Sequence, residues 1–180
     1  MIIQMRNGGS ERALKALCEY IKSLPSYDKN LPFVEIGSYT GESAVIFAQN
    51  LENPIYCVDP WKSGYDPLDP ASESDFDKVK ELFEERTKGY NITHFYELDP
   101  IECAAIYIDG DHSYEGVKKA ILKWYNVPII SGHDFVEDPH HQHVYGVQKA
   151  VREILGEPDK IFEDSSWVKT IKMYEKTNNV

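Results

Sequence analysis

The sequence alternates short apolar runs with segments in which apolar residues recur every three or four positions, and this alternation constrains the fold more than any other feature. Residues 33–37, 55–58 and 104–109 are apolar runs that end at, or just before, a glycine or an aspartate, as buried strands do. Residues 42–51 and 74–88 have helical spacing. Because such alternation is typical of a parallel sheet with helices on both faces, we predict an α/β fold.

The chain is predicted to form one domain, 1–180, since its 180 residues are close to the common domain size of about 150 residues. The short polar turn at 164–166 permits a hairpin but not a parallel crossover, so the final strand is expected to be antiparallel. The other predicted elements are helices at 10–24, 117–125 and 144–155, and strands at 93–96, 127–131, 160–163 and 167–174.

Charge and cysteine usage narrow the class of protein. The chain has 19 basic and 30 acidic residues, a net charge of −11, which repels phosphate backbones and anionic membrane surfaces. The three cysteines lie in apolar stretches without metal-ligand spacing, so they are expected to be reduced core residues. No run approaches 18 apolar residues and the start carries no signal-like run. We therefore expect a cytoplasmic protein that binds neither nucleic acid nor membranes.

Two glycines four positions apart, Gly37 and Gly41, lie where the first strand of the predicted sheet meets a helix. Glycines there let the backbone turn sharply and approach a ligand closely, so a nucleoside or a carboxylate could bind. Tyr39 stands where a dinucleotide fingerprint has its middle glycine, which argues against a pyrophosphate on this loop. A tight turn without a ligand is the alternative.

Asp59 ends the next strand, 18 residues after Gly41. An acidic side chain at this position can accept hydrogen bonds from both hydroxyls of a ribose. A turn-forming aspartate before Pro60 is the alternative for this residue alone. Trp61 and Tyr65 are candidates to cover an adenine face, and equally candidates for ordinary packing over a helix end.

Further carboxylates and two histidines follow the next two strands along the sheet. Asp109, Asp111 and His112 come after one of them, and His133 and Asp134 come after the other. Carboxylate oxygens with open water positions suit Mg²⁺ or Mn²⁺, so Asp109, Asp134 and His133 form a candidate cation site. The alternative is that these residues are helix caps and loop carboxylates, with Ser113 or Asp111 capping the following helix.

A second histidine-rich stretch, His140-His141-Gln142-His143, resembles a metal-binding tract. It follows Asp138-Pro139, a turn-forming pair, and no second cluster of ligands accompanies it. We therefore interpret this stretch as a solvated loop.

Four segments of the chain occur in an order and at a spacing that carry a family resemblance. They are FVEIGSYTGES at 33–43, YCVDPW at 56–61, IDGDHSYEGV at 108–117 and ISGHDF at 130–135. Together they resemble class I S-adenosylmethionine-dependent methyltransferases, in the branch of small-molecule and sugar O-methyltransferases related to the macrocin type. The resemblance covers about residues 33–150, and the four segments together are much more specific than the glycine loop alone.

For the fold, the resemblance implies a Rossmann-like three-layer sandwich. Its seven-stranded, mostly parallel sheet has the order 3-2-1-4-5-7-6, with the last strand antiparallel. Only residues 97–103 separate the third and fourth strands here, too few for the helix that the family usually has there, so the fold is expected to be reduced at this point. That connection normally contributes to the adenine pocket.

For the site, the resemblance implies three sets of residues. Asp111 is the general base, with His112 as the alternative. Metal-dependent members commonly have an aspartate at the position of His133. The implied cofactor-binding residues are Glu35, Gly37, Ser38, Gly41, Asp59, Trp61 and Asp109, and the implied metal ligands are Asp109, His133 and Asp134.

The leading functional hypothesis is an enzyme that moves the methyl group of S-adenosylmethionine to a hydroxyl of a small molecule, with sugars among the acceptors and a divalent cation such as Mg²⁺ assisting. A homo-oligomer is compatible with the open acceptor side of the site. The alternative from another class is a nucleoside-binding or regulatory protein that keeps the fold without the reaction. A nicotinamide-dependent oxidoreductase is weaker, because Tyr39 stands in the glycine loop.

Overall fold

The computed structural model describes residues 8–66, 68–137 and 144–172. Within them the elements follow one another as strand, helix, strand through most of the chain. The helices are α1 Gly8–Ser23, α2 Glu42–Asn50, α3 Phe76–Thr87, α4 Tyr114–Lys123 and α5 Tyr145–Leu155. The strands are β1 Phe33–Ile36, β2 Ile55–Val58, β3 Ile92–Phe95, β4 Ala105–Ile108, β5 Ile129–Gly132, β6 Lys160–Ile161 and β7 Trp167–Thr170.

All seven strands form one sheet in the order β3-β2-β1-β4-β5-β7-β6. The pairs between β3 and β5 are parallel, whereas β7 is antiparallel to both β5 and β6. The predicted strand order and the antiparallel last strand are therefore confirmed. The hairpin closes over 162–166, where the Phe162 N–H donates to the Ser166 carbonyl at 2.8 Å.

The sheet has a hydrophobic cluster on each face. Helices α1, α2 and α3 supply one cluster, which includes Leu14, Phe47 and Phe83. Helices α4 and α5 supply the other, which includes Ile121 and Val151. The central strands are apolar on both faces, so each face of the sheet must be covered by helices. The two helical layers and the sheet between them form the predicted three-layer sandwich.

Two sequence expectations changed in detail. The expected loop at 61–71 runs into a short 3-10 turn, Pro70–Glu73. Asp69, the residue before this turn, caps it by accepting from the Ala71 N–H at 2.8 Å. The final strand ends at Thr170 rather than 174, and positions 173 and 174 lie outside the described residues. The connection between β3 and β4 contains no helix, as expected from its length.

The remaining expectations about the chain concern cysteines and membranes. Cys18, Cys57 and Cys103 are buried and form no disulfide with one another, as expected for core residues. Across the described residues, none of the helices combines the length and the apolar character that crossing a bilayer requires.

The chain just after β1 lies close against the chain just after β4 at Gly37, one residue beyond the end of β1. Gly37 has a φ of 88°, and a Cβ placed on it would lie 2.2 Å from the Asp109 carbonyl oxygen. No side chain fits at that distance, and only glycine adopts this φ readily. The glycine is therefore required by the contact between the two strand ends.

We expect Gly37→Ala to destabilise the fold far more than Gly89→Ala. Both glycines have a φ of 88°, but a Cβ on Gly89 meets nothing within 4 Å. The left-handed backbone alone costs about 1–2 kcal/mol per residue, and overpacking at Gly37 adds about 1–3 kcal/mol. Urea unfolding of the two variants measures the difference, and equal losses of unfolding free energy would contradict the close approach.

Candidate active site

A cavity of about 410 Å³ opens beyond the C-terminal ends of β1, β2, β4 and β5. In sheets of this kind ligands bind in the crevice outside those strand ends, where the chain order reverses. Three stretches of chain form most of its wall: the glycine loop at 36–43, the 65–76 segment that follows β2, and the residues just after β4 and β5. The sequence-predicted glycine loop and the predicted carboxylate rim therefore face one cavity.

The start of the glycine loop is held by Asp59. Its Oδ2 accepts from the backbone N–H groups of Ser38 at 3.0 Å and Tyr39 at 2.9 Å, and its Oδ1 accepts from the N–H of Trp61 at 2.7 Å. Asp59 is only 7% exposed, and burial raises the pKa of its carboxyl although the three N–H donors oppose this. Asp59 borders the cavity, but most of its acceptor capacity orders the loop.

The end of the glycine loop is held by α3. The Arg86 guanidinium donates to the carbonyl of Thr40 at 2.8 Å and to its hydroxyl at 2.7 Å. A Cβ on Gly41, whose φ is 78°, would lie 2.9 Å from the ring of Phe83. Sequence analysis missed Arg86, because nothing in a charged helix distinguishes the one side chain that reaches a loop 46 residues away.

Trp61 lies behind the cavity rather than on its wall. Its φ of 42° turns the ring towards Phe83 and His94, at centroid distances of 4.9 and 5.6 Å. The indole N–H donates to the carbonyl of Tyr39 at 3.0 Å. The structure thus places Trp61 as a support for the glycine loop, whereas Tyr65 does line the cavity.

Glu35 is fully buried beneath the glycine loop and does not reach the cavity surface. The Cys57 thiol donates to its Oε2 at 3.5 Å. Burial raises the pKa of Glu35 to about 7, because the charged form loses its hydration. This residue was predicted to bind the cofactor, and the structure places it in the layer below the cavity wall.

His112 lies at the centre of the rim, surrounded by four carboxylates. Its Nε2 is 3.2 Å from Asp134 Oδ2 and 3.6 Å from Asp109 Oδ1. Its Nδ1 is 3.6 Å from Asp69 Oδ2 and 3.9 Å from Asp66 Oδ2. Burial acts to lower the pKa of His112, but hydrogen bonding and the charges of these carboxylates outweigh it and raise the pKa to about 9.

Asp111, the other catalytic candidate, is turned towards α4. Its Oδ1 accepts from the Ser113 N–H at 2.9 Å, and a Cβ on Gly116 would lie 2.2 Å from its carboxyl carbon. Asp111 still borders the cavity. Ser113 caps α4 by accepting from the Gly116 N–H, so part of the capping alternative is present alongside the functional one.

His133 and Asp134 form the far side of the rim. His133 Nδ1 is 2.9 Å from Asp134 Oδ1 and 3.8 Å from Asp109 Oδ1, and its Nε2 is 3.7 Å from Asp164 Oδ2. Asp134 has a φ of 60°, which brings its carboxylate between the two imidazoles. Ligand atoms of Asp109, His112 and Asp134 all lie within 4.8 Å of one another, so these three could share one cation.

Sequence analysis missed the acidic contribution of the 65–76 segment. Asp66 and Asp69 look like turn-forming residues in the sequence, and both do bond to nearby backbone N–H groups. Their approach to His112 depends on a contact between segments more than 40 positions apart, which no local pattern encodes. The histidine stretch at 140–143 lies outside the described residues.

We expect Glu35→Gln to remove part of the pH dependence of stability. The pKa of Glu35 rises from 4.5 to about 7 on folding, so the native state binds more protons than the unfolded state in that window and stability falls as pH rises through it. As the pH rises from 5 to 8, the wild type should therefore lose about 2 kcal/mol of unfolding free energy that the variant keeps.

Urea unfolding at pH 5 and pH 8 measures this change, with Glu81→Gln, on an exposed position of α3, as the control. Parallel stability profiles for the wild type and Glu35→Gln would show that Glu35 carries no such shift.

Comparisons with known proteins agree with this architecture. Residues 34–133 match the model of a family described as a methyltransferase domain. No curated protein matches the sequence. Among solved structures, an S-adenosylmethionine-dependent O-methyltransferase from Thermotoga maritima is similar at 9% identity and a TM-score of 0.59, with 96% of this chain and 69% of that chain covered.

Two further structures were solved with a sulfur cofactor. The O-methyltransferase from Bacillus cereus in complex with S-adenosylhomocysteine has 12% identity, a TM-score of 0.52 and coverage of 93% and 82% of the two chains. TomG from Streptomyces achromogenes, an O-methyltransferase in complex with S-adenosylmethionine, has 11% identity, a TM-score of 0.54 and coverage of 91% and 79%. At such identities the likeness concerns the fold. Since the family match spans more than half of the 180 residues, the chain belongs to the methyltransferase-domain family and has the fold of the class I S-adenosylmethionine-dependent methyltransferases.

Proposed function

We propose that this protein transfers the methyl group of S-adenosylmethionine to a hydroxyl of a small molecule, with sugars among the candidate acceptors. The observation that carries the proposal is that one cavity has the glycine loop on one wall and a carboxylate-held imidazole, His112, on another. Methyl transfer needs this pairing, because the acceptor oxygen must be aligned with the methyl donor and must also lose a proton.

The cofactor would lie against Gly37, Ser38 and Gly41. A cavity of about 410 Å³ falls within the usual range of small-molecule sites, about 300–1,000 Å³. Asp59 has one acceptor position left after its three backbone bonds, which suits a single ribose hydroxyl. When bound, S-adenosylmethionine supplies a methyl group already activated by its sulfonium, so the protein's own task is alignment and proton removal.

His112 is the residue that we assign to proton removal, in the form whose imidazole is neutral. Because its pKa is about 9, the share of this form, and with it turnover, should increase as the pH rises towards 9. The His112 ring faces the rim, whereas the carboxylate of Asp111 is committed to the first turn of α4. Asp109 and Asp134 stabilise the imidazolium that His112 becomes when it accepts the acceptor's proton, as a carboxylate does for a catalytic histidine elsewhere. Asp111 orients His112 through the backbone that the two residues share.

A metal-assisted form of the same reaction is the second candidate, and the spacing of Asp109, His112 and Asp134 favours it. Two carboxylates and one imidazole suit Mn²⁺ or another borderline cation better than Mg²⁺, which prefers oxygen alone. A cation held there would polarise the acceptor hydroxyl. His133 is within 3 Å of Asp134 and is the alternative nitrogen donor.

We expect the wild type to bind S-adenosylmethionine and S-adenosylhomocysteine by calorimetry and to methylate at least one member of a panel of catechols and sugars. His112→Gln should lower kcat by about 10²- to 10⁴-fold with little change in cofactor affinity, because a general base acts mainly in the transition state. Asp111→Asn keeps an oxygen facing the Ser113 N–H and should lower kcat by less than about tenfold.

Three results of this experiment would contradict parts of the proposal. The absence of binding by either sulfur cofactor would remove the methyltransferase function. Cofactor binding without any methylated product would favour a binding or regulatory protein. A large loss of kcat in Asp111→Asn with a normal His112→Gln enzyme would reassign the base to Asp111.

Metal dependence is tested by chelation. If a cation assists, EDTA should lower turnover at least tenfold, added Mn²⁺ should restore it, and Asp134→Asn should weaken Mn²⁺ binding measured by calorimetry. The control is Asp77→Asn, an exposed position on α3. Full activity in EDTA together with unchanged Mn²⁺ binding in Asp134→Asn would leave His112 acting without a metal.

A further inference from the structure

The cavity wall is strongly and unevenly acidic. Among the described residues that line it there are six carboxylates and neither lysine nor arginine. Its two histidines could supply at most two positive charges, so the carboxylates on the wall outnumber its positive groups by at least four. The six are Glu42, Asp59, Asp69, Asp109, Asp111 and Asp134.

The excess charge lies on the acceptor side. On the cofactor side, Glu42 is 3.6 Å from the Arg86 guanidinium, and Asp59 accepts three backbone N–H bonds. The other four line the rim and the 65–76 segment, around His112. The imidazoles of His112 and His133 can balance at most two of these four carboxylates, so the rim is an environment that favours positive ligands.

Asp66 adds a fifth carboxylate to the four around His112. Its side chain is 2% exposed, it lies directly behind the rim, and its Oδ2 has no hydrogen-bond donor although His112 Nδ1 is 3.9 Å away. A buried carboxylate oxygen without a donor is costly unless a positive group lies near. His112 is the positive group closest to this oxygen, so one imidazole is shared by Asp66 and the three carboxylates of Asp69, Asp109 and Asp134, which leaves the surroundings of His112 favourable to a further positive group.

The 65–76 segment also places two aromatic rings beside a carboxylate. Phe76 packs edge-on against Tyr65, with their centroids 6.1 Å apart, and both rings line the cavity. The Tyr65 hydroxyl donates to Asp69 Oδ2 at 2.9 Å, which fixes that carboxylate next to the rings. Aromatic faces with an adjacent carboxylate are the usual receptor for an ammonium group, whereas they offer nothing to a phosphate.

Building on the proposed function, we infer that the methyl acceptor is a hydroxyl compound that also carries an ammonium group, bound by Asp69 with Tyr65 and Phe76. Asp69 Oδ2 is 3.6 Å from His112 Nδ1, so the amine and the reacting hydroxyl are separated by only a few bonds in such a compound. Acidic acceptors such as phosphorylated sugars and coenzyme A esters are excluded from this site by the same charges.

Matched acceptors test the inference directly. Dopamine, 4-methylcatechol and 3,4-dihydroxybenzoate present the same two hydroxyls with a positive, neutral or negative substituent, and glucosamine, glucose and glucose 6-phosphate form a second series. We expect kcat/KM to be at least tenfold higher for the cation than for the neutral compound, and lowest for the anion. A neutral or anionic compound that reacts as well as its cationic counterpart overturns the inference.

The charge on Asp69 provides the matched variant. Asp69→Asn keeps the side-chain shape and should reduce the cation-to-neutral ratio of kcat/KM to near one, while Asp77→Asn on the exposed face of α3 should leave that ratio unchanged. If the cation-to-neutral ratio in Asp69→Asn equals that of the wild type, Asp69 does not bind the ammonium group and the inference is wrong.

A binding measurement decides the question even if no acceptor in either series reacts. Sinefungin carries an amine where S-adenosylmethionine carries its transferable methyl, so its ammonium points at the acceptor position, whereas S-adenosylhomocysteine has no charge there. By calorimetry in EDTA we expect sinefungin to bind at least tenfold more tightly, with a difference that shrinks as salt is added. Equal affinities overturn the charge inference alone, and the failure of both compounds to bind overturns the proposed methyl transfer.

Discussion

The site depends on the contact between the ends of β1 and β4. The Asp109 N–H donates to the Ile36 carbonyl at 2.8 Å, and the Gly37 N–H donates to the Val58 carbonyl at 2.9 Å, so the parallel ladder continues one residue past each strand. Only a glycine fits against the Asp109 carbonyl at this point. Because of this contact, the glycine loop and the rim that begins at Asp109 form adjacent walls of one cavity.

The rim concentrates like charges, which repel one another, and the fold tolerates this through two arrangements. His112 lies between carboxylates from three separate stretches of chain and offsets part of their charge. Helix α5 keeps the backbone of His112 in place, since a Cβ on Gly146 would lie 2.4 Å from the His112 carbonyl oxygen. Packing therefore holds the site in place although its negative charge is only partly balanced. An unbalanced charge on a fixed wall favours ligands of the opposite charge.

The sheet could be predicted from the sequence because each of its elements has a recognisable pattern within a few neighbouring residues. Each strand is a short apolar run, each helix has an apolar stripe, and a three-residue turn permits only a hairpin. The rim could be predicted for a related reason, because the carboxyl ends of parallel strands meet at one edge, which places Asp109 near Asp134. The positions of Glu35 and Trp61 could not be predicted in this way. Glu35 is buried below the glycine loop, and Trp61, whose φ is 42°, lies behind the cavity. Arg86, Asp66 and Gly146 act through contacts between distant segments, which leave no local signal.

Asp59 orders the glycine loop, and this leaves it little acceptor capacity for the ribose contact predicted from the sequence. A carboxylate offers about four acceptor positions, and the N–H groups of Ser38, Tyr39 and Trp61 use three of them. The sequence predicts that Asp59 accepts hydrogen bonds from both hydroxyls of a ribose, but only one acceptor position of its carboxylate remains. The β3–β4 connection contributes nothing to the cavity wall among the described residues, so it does not replace the missing contact. Binding of the proposed cofactor would therefore depend on the shape and backbone of the glycine loop, which Asp59, Trp61 and Arg86 hold in place, more than on hydrogen bonds from the ribose to an acidic side chain.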